Sequence, residues 1–276
     1  KVAVAGGSGS AVARAVSEHA TSVLAATCWG EWRGEGAPPP KVAVRRLDLL
    51  HEEPAAIARL FREARAAVAC LAPGRDQDRR ALYVEGARRF ATASAAAAHE
   101  RAIWCSSTSA LPALDGWLDE DCEIWPEEER GRIQREAEEA FRQGQTAAGV
   151  PWVILRLAGL YGPGRELGRV YSRSLAADGP PLPGDGLEPT NLVHRDDVVA
   201  AILAALRLAP QRSALVHVCD EDHAVRRELV ARIAAQRGLP PPRWERPDGP
   251  PRGKKVAARR LAEVLGVVLA HPRHTP

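Results

Sequence analysis

The sequence lacks methionine altogether and has few cysteines, few tyrosines and no long apolar run. Its five cysteines are odd in number and form no C-x-x-C pair, which argues against a disulfide framework and against a zinc site. We therefore expect reduced thiols and no bound metal. Cys70 and Cys219 lie in apolar segments and are expected to be buried.

No apolar stretch approaches the roughly 20 residues that span a bilayer, and no secretory signal is visible. Lys1 stands where an initiator methionine would, so we expect the natural chain to begin further upstream. The net charge is +3, and the arginines are spread along the chain rather than clustered with aromatic residues. We therefore expect a cytoplasmic protein that binds a small molecule, with neither membrane nor nucleic acid as a partner.

The most informative feature that is present lies at the start of the chain. An apolar run at 2–5 meets a glycine cluster, and a helical pattern follows at once. Glycines let a backbone approach a pyrophosphate closely, and a helix N-terminus offers free N–H groups and a positive dipole. The segment predicts a dinucleotide site, although Val12 stands where a third glycine is expected. An ordinary strand–turn–helix is the alternative. The residues assigned to cofactor binding in this turn are Gly6, Gly7, Ser8, Gly9 and Ser10.

Strand and helix patterns alternate along the chain and predict an α/β fold, a Rossmann-type doubly wound parallel sheet of about seven strands. The predicted strands are 2–5, 22–27, 42–47, 66–72, 102–105, 152–157 and 215–219. The predicted helices are 10–19, 54–65, 79–98, 127–143, 198–208, 225–237 and 255–265.

The amino-acid composition of the chain changes after residue 157. The segments 159–168 and 178–189 are rich in glycine and proline and are expected to be loops. We divide the chain into a cofactor-binding Rossmann domain at 1–157 and a smaller, mostly substrate-binding lobe at 158–276. The 190–219 region of that lobe is expected to return to the Rossmann sheet.

Four further segments match the motifs of one family. They are Ala72-Pro73-Gly74, Cys105-Ser106-Ser107-Thr108-Ser109, the run 155–165 read as LR-x-x-x-x-YGPG, and Val193-His194-Arg195-Asp196-Asp197. With the glycine-rich start, they resemble the short-chain dehydrogenase/reductase superfamily in its extended or atypical branch, the NAD-dependent epimerase/dehydratase group. A basic run at 253–256 is also similar to atypical members, although a solvated helix start would look the same. The resemblance implies a homodimer through the helices 79–98 and 127–143.

The resemblance also implies where a cofactor binds. Ala72 and Pro73 fall where the family contacts it, and the neighbourhood of Asp48 where the family contacts adenine, although Asp48 could equally cap the next helix. Relatives that prefer NAD carry an acidic residue at the end of the second strand. Here that place is 27–29, which has no acid, and Arg33 follows within reach. We therefore expect NADP rather than NAD, with no cofactor at all as the remaining alternative.

The sequence departs from the family at its catalytic YxxxK motif, in which the tyrosine exchanges a proton with the substrate and the lysine lowers the tyrosine pKa. Pro126, Gly131 and Glu138 fit the flanking frame, which puts Arg130 at the tyrosine position and Gln134 at the lysine position. None of the three tyrosines is followed by lysine at the required spacing. Arginine does not donate a proton at neutral pH, so the standard pair is absent.

The remaining candidates follow from the resemblance. Ser107 falls at the catalytic serine position, and Tyr161 could replace the lost acid. Arg130 could bind an anion. Each has a structural alternative: a polar strand end, a packed tyrosine and a solvated charged face. The candidates for substrate binding are Thr108, Arg165 and His194.

Two expectations concern structural roles near these candidates. His194 is usually structural in relatives, where the following Asp197 would cap or orient the next helix. The acidic segment 115–123 could supply a base near Ser107, but a solvated loop is the favoured interpretation.

Three functions follow. The first is an NAD(P)-dependent oxidoreductase or epimerase acting on a small polar metabolite. The second is a non-redox enzyme on the same fold, such as a dehydratase, cyclase or isomerase. The third is a cofactor-binding sensor without turnover. Fold alone does not choose among them.

Overall fold

The structure is a computed structural model of the 276-residue chain, and it describes residues 1–6, 10–27, 30–32, 34–74, 76–171, 174–176, 179–246, 249–250 and 252–273. The strands are β1 (Val2–Ala5), β2 (Val23–Thr27), β3 (Val42–Arg46), β4 (Ala66–Ala69), β5 (Arg101–Ser107), β6 (Gly116–Leu118), β7 (Trp152–Leu157), β8 (Gly159–Tyr161), β9 (Leu192–His194), β10 (Ala214–Val218) and β11 (Lys254–Val256). The helices are α1 (Ser10–His19), α2 (Pro54–Phe61), α3 (Gly86–Ala96), α4 (Glu129–Ala147), α5 (Leu167–Val170), α6 (Arg195–Arg207), α7 (Arg226–Gln236) and α8 (Arg259–Glu263).

Seven parallel strands form the central sheet in the order β10-β7-β5-β4-β1-β2-β3, which confirms the predicted fold class. Strands β1 to β3 spread to one side, and β4, β5, β7 and β10 to the other. The order therefore reverses between β1 and β4. In doubly wound folds, ligands bind outside the carboxyl ends of the strands at such a switch point.

Helices cover both faces of this sheet, which is why its strands are short apolar runs. One face packs α2, α3 and α4 around Phe61, Phe90, Trp104 and Phe141, whose neighbouring ring centroids lie 5.7 to 6.2 Å apart. The other face packs α1 and α6, and there Val12 is buried in the core. The valine at the third-glycine position is thus accommodated within the helix–sheet contact.

Two small sheets lie outside the main one, and both were missed by the sequence analysis. Strand β8 pairs in parallel with β9, within a segment that was expected to be a loop. Strand β11 pairs in parallel with β6. The predicted helix at 255–265 is therefore wrong in its first part, because β11 ends at Val256 and α8 begins at Arg259.

Other features of the chain bear on the sequence-based expectations. Cys70 and Cys219 are buried free thiols. Within the described residues, no helix combines the length and the apolar character needed to cross a membrane. The division into two domains and the homodimer through α3 and α4 stay predictions.

Candidate functional site

The carboxyl end of β1 turns sharply at a glycine that packs against the backbone following β4. Gly6 has φ +111°, and its N–H donates to Ala26 O at 2.9 Å. A Cβ at this position would lie 2.2 Å from Cys70 O, so only glycine fits. Helix α1 then begins at Ser10 and directs its N-terminal N–H groups towards this edge. The predicted residues Gly7, Ser8 and Gly9 lie outside the described residues.

The neighbouring strand ends carry the other predicted cofactor residues. Ala72 and Pro73 follow β4, with Ala72 exposed and Pro73 half-buried. At the end of β2, Thr27 is in register with Arg46 of β3, whose side chain is exposed. Arg33, like the neighbouring residues 28 and 29, lies outside the described residues. The end of β2 therefore has an exposed arginine in register on the neighbouring strand.

Asp48 shapes the turn that follows β3. Its Oδ1 accepts from Leu50 N at 3.1 Å and from His51 N at 3.3 Å, and the His51 ring faces the carboxylate at 3.0 Å. Helix α2 has Glu53 at its N-cap without a side-chain cap bond. The alternative that Asp48 caps this helix is therefore wrong, since the carboxylate closes a turn ahead of it.

Ser107 ends β5 and begins a single 3₁₀ turn, Thr108–Ala110. Its Oγ accepts from Ser109 N at 3.2 Å and caps this turn. Thr108 is buried within the turn, and Ser107 is half-buried. The hydroxyl proton of Ser107 is not used by this cap, so the same side chain can still donate a hydrogen bond to a ligand.

The start of α4 lies directly against this turn. A Cβ on Gly131 would be 2.5 Å from Ser109 O and 2.7 Å from Pro126 Cβ, so the helix backbone reaches the turn only because residue 131 is glycine. Arg130 is exposed in the first turn of α4. Gln134 is buried, with Oε1 3.4 Å from Ser106 Oγ. In the motif frame of the sequence analysis, this neutral amide stands at the position of the family's lysine, which stays a prediction.

Behind Ser106 lies a buried ion pair that the sequence analysis did not identify. Glu138 accepts from the fully buried Arg156 at 2.9 Å (Nε) and 2.7 Å (Nη2), and from Ser106 Oγ at 2.6 Å. Burial raises the pKa of the Glu138 carboxyl, whereas the permanently charged guanidinium favours the carboxylate. The pair joins α4 to β5 and β7 immediately below the Ser107 turn. The sequence analysis had placed Glu138 in the frame of the catalytic motif and Arg156 in the LR-x-x-x-x-YGPG run. The only signal for their contact was the charge of Arg156 inside a predicted apolar strand.

The acidic segment after the turn is not uniformly solvated as expected. Glu120 is buried, and its Oε1 accepts from His217 N at 3.2 Å and from Arg260 N at 3.1 Å. Burial raises the pKa of Glu120. This carboxyl therefore joins β10 to α8, while Asp115 and Asp121 on the same segment are exposed. The solvated interpretation is wrong for Glu120, because backbone donors from distant segments surround it.

Tyr161 and His194 form a second cluster. Tyr161 is buried on β8, and its ring meets the His194 ring edge-to-face at 5.2 Å. Burial, with Asp220 and Asp197 nearby, raises the pKa of the Tyr161 hydroxyl. This tyrosine therefore holds its proton more tightly than a free one, which makes it a weak acid. Its assignment as the replacement acid stays a prediction.

His194, not Asp197, caps α6. Its Nδ1 accepts from Asp196 N at 3.2 Å, whereas Asp197 accepts from Ala270 N at 2.7 Å and His271 N at 3.0 Å. The His194 and His271 rings stack at 3.7 Å. The expectation that Asp197 caps α6 is corrected, because this carboxylate holds the C-terminal segment instead. A role for His194 in substrate binding stays a prediction.

Two more side chains complete the description of this region. Arg165 is exposed at the end of the turn 162–165, where its N–H donates to Gly162 O at 2.8 Å. Lys254 of β11 places its ammonium against the Ser107 turn, which the sequence analysis did not foresee. The structure thus brings Ser107, Thr108 and Lys254 together. Tyr161 and His194 contact each other through their rings.

Comparison with known proteins identifies the family and the fold. The sequence profile of the family described as "NAD dependent epimerase/dehydratase family" matches residues 2–216. Protein YeeZ of Escherichia coli is 30% identical over 191 residues, which are 69% of this chain and 66% of YeeZ, just under two thirds of the relative. A 3-diazoavenalumate denitrifying reductase of a Streptomyces species is 30% identical over 168 residues, or 59% of this chain and 54% of the reductase.

The fold likeness extends to solved structures. UDP-glucuronic acid 4-epimerase from Bacillus cereus, solved in complex with NAD, superposes with a TM-score of 0.80 at 16% identity, covering 98% of this chain and 94% of the epimerase. At this identity the likeness shows the fold alone.

Proposed function

Because this chain belongs to the NAD-dependent epimerase/dehydratase family, we propose that it binds a nicotinamide dinucleotide between the ends of β1, β2 and β4. We further propose that it oxidises, reduces or epimerises a small polar metabolite beside Ser107. The observation that carries this proposal is Gly6, where both a positive φ and the 2.2 Å approach to Cys70 O exclude any side chain. A backbone cradle before a helix N-terminus fits a pyrophosphate. When bound, the nicotinamide ring supplies or accepts a hydride.

The chain's own residues have assigned roles in this proposal. Ser107 donates its hydroxyl proton to a substrate oxygen, and the exposed side chains of Arg130 and Arg165 are available to an anionic substrate group. The solved B. cereus epimerase holds NAD, and the Streptomyces relative is a reductase by name. Both support redox chemistry with a dinucleotide on this fold.

We propose NADP as the preferred form. Arg46 lies in register with Thr27 at the end of β2, where a 2′-phosphate would need a cation. Titration calorimetry with NADPH and NADH tests the proposal. We expect binding of both at micromolar level, with NADPH the tighter.

Two neighbouring arginines on β3 offer a matched pair of variants. Arg46→Glu should weaken NADPH binding at least about tenfold, corresponding to about 1.4 kcal/mol, with little change for NADH. Arg45→Glu is the control, because successive strand residues point to opposite faces and Arg45 is in register with Ala26. Absence of binding of either cofactor would refute the proposed function. Equal loss in both variants would refute the assignment of Arg46.

A second candidate is non-redox chemistry on the same scaffold. The observation that favours it is the occupied lysine position, where buried Gln134 lies 3.4 Å from Ser106 Oγ. Neither this amide nor Arg130 can carry the proton that the family's tyrosine carries. Substrate turnover without any change in nicotinamide absorbance would favour this candidate, and cofactor binding with no turnover would favour a sensor.

A further inference from the structure

Lys254 reaches the candidate site from the far end of the chain. Its Nζ donates to Thr108 O and Leu111 O, both at 2.9 Å. Thr108 is the first residue of the 3₁₀ turn and Leu111 follows its last residue, while Ser107 Oγ caps the N-terminal end of the same turn. A three-residue turn is about 6 Å long. The Ser107 hydroxyl and the Lys254 ammonium therefore both bind one short turn.

The backbone that carries this lysine is fixed on both sides. The Asn191 amide donates to Lys254 O at 2.9 Å and accepts from Val256 N at 2.8 Å. Asp115 accepts from Gly253 N at 2.6 Å, and β11 pairs with β6. Such support from neighbouring hydrogen bonds is what holds a functional side chain in a defined position. Asn191 is thus a positioning residue for Lys254.

These contacts give the ammonium of Lys254 neutral carbonyl partners and no negatively charged one among the described residues. The side chain is half-buried, and no described carboxylate forms an ion pair with it. Burial lowers the pKa of Lys254, an effect that Glu128 partly offsets. An ammonium has three N–H donors, and the two carbonyls occupy two of them. A partly desolvated cation with a spare donor is suited to an anionic ligand.

We propose that Lys254 supplies the positive charge of this site in place of the lysine that Gln134 replaces. It binds a substrate oxygen that carries or gains negative charge, such as a carboxylate or the oxygen of a polarised carbonyl, beside Ser107. This role rests on the proposed function. The competing explanation is that Lys254 only clamps β11 to the turn. The two differ in whether the ammonium is accessible to anions.

Chemical labelling can separate them, because the chain has only four lysines: Lys1, Lys41, Lys254 and Lys255. The aldehyde of pyridoxal 5′-phosphate condenses with a neutral amine to an imine and water, and borohydride then reduces the C=N bond to a stable amine. Lys255 is the internal control, since its Nζ lies over the exposed Trp117 ring at 5.7 Å. Peptide mapping by mass spectrometry gives the rate at each lysine.

We expect Lys254 to be labelled faster than Lys255 near pH 7.5, because burial lowers the pKa of Lys254 and so raises its neutral fraction. Sodium acetate, compared with sodium chloride at equal ionic strength, should slow labelling of Lys254 and leave Lys255 unchanged. Equal or slower labelling of Lys254, or equal protection of both lysines, would overturn the proposal in favour of the clamp.

Two variants check the labelling assignment. Lys254→Arg keeps the positive charge but offers no amine to the aldehyde, so the fast label should be lost. Lys255→Met should retain fast labelling at position 254. If wild-type protein binds neither NADPH nor NADH, the proposed function fails, but the labelling still decides whether Lys254 is an anion site.

Discussion

The buried Glu138–Arg156 pair gives the most decisive test of how this site is held. Arg156 is fully buried, and its guanidinium is balanced by one carboxylate at 2.7 to 3.2 Å. Glu138→Gln would remove the negative charge at nearly constant volume. The arginine cannot lose its proton, so its charge would remain unpaired in the core. Breaking a buried pair in this way costs about 3 to 5 kcal/mol of unfolding free energy.

The next residue along α4 supplies a matched control. Glu139 also accepts from an arginine, with Arg142 Nη2 at 2.7 Å and Nε at 3.0 Å. These side chains are 37% and 46% exposed, however, against 5% and 0% for Glu138 and Arg156. An exposed pair contributes about 0.2 to 1 kcal/mol. The same substitution, Glu139→Gln, should therefore have a small effect.

Urea unfolding followed by circular dichroism measures both variants. With an m-value of about 3 kcal/mol per M, Glu138→Gln should lower the midpoint by about 1 to 1.7 M. Glu139→Gln should lower it by about 0.3 M or less. Equal midpoint shifts would refute the argument that burial decides the strength of this pair. The double variant Glu138→Leu with Arg156→Met should recover much of the loss, because it leaves no unpaired charge.

Two further predictions concern the neighbourhood of the pair. Burial lowers the pKa of His217 to about 4, so the unfolded chain binds more protons than the folded one between that value and the ordinary pKa of about 6.5. The stability that neutral His217 contributes is complete above pH 6.5 and is lost as the pH falls towards 4. Chemical denaturation at several pH values gives the unfolding free energy as a function of pH. Over this window its slope should be smaller for His217→Asn than for the wild type by about 1.4 kcal/mol per pH unit, and an unchanged slope would contradict the assignment. Gly131→Ala should lower the unfolding free energy by more than about 1 kcal/mol despite the better helix propensity of alanine, because its Cβ would lie 2.5 Å from Ser109 O. Gly74→Ala is the control, since the nearest atom to its Cβ would be 4.0 Å away, and equal stability of the two variants would contradict the predicted clash.

The local pattern of apolar and polar residues was sufficient to predict the strands of the main sheet. The βα alternation fixed the order of elements, and 2–5 and 152–157 are also the observed bounds of β1 and β7. Such strands are apolar runs bounded by turns, so the signal lies within each segment. The end of β5 was placed two residues early, because Ser106 and Ser107 are polar residues in a strand that continues to the site.

The parts that escaped prediction depend on distant partners. Strand β11 is three residues long and too short for any periodicity. It is a strand because β6 and the Asn191 amide bind its backbone. Glu120 likewise has the sequence pattern of a solvated acid, but in the folded chain it accepts hydrogen bonds from His217 N and Arg260 N. Interactions between remote segments leave no trace in local composition.

The missing lysine and the position of Lys254 have a common electrostatic explanation. At residue 134 an ammonium would lie beside Ser106, whose hydroxyl already donates to the carboxylate that neutralises Arg156. That carboxylate, Glu138, also lies 3.9 Å from Arg135 Nη1, so an ammonium at residue 134 would add a third cation around one buried carboxylate. A neutral amide avoids this conflict. The cation near Ser107 instead comes from Lys254 of β11, which the carbonyl oxygens of Thr108 and Leu111 hold and which is only half-buried.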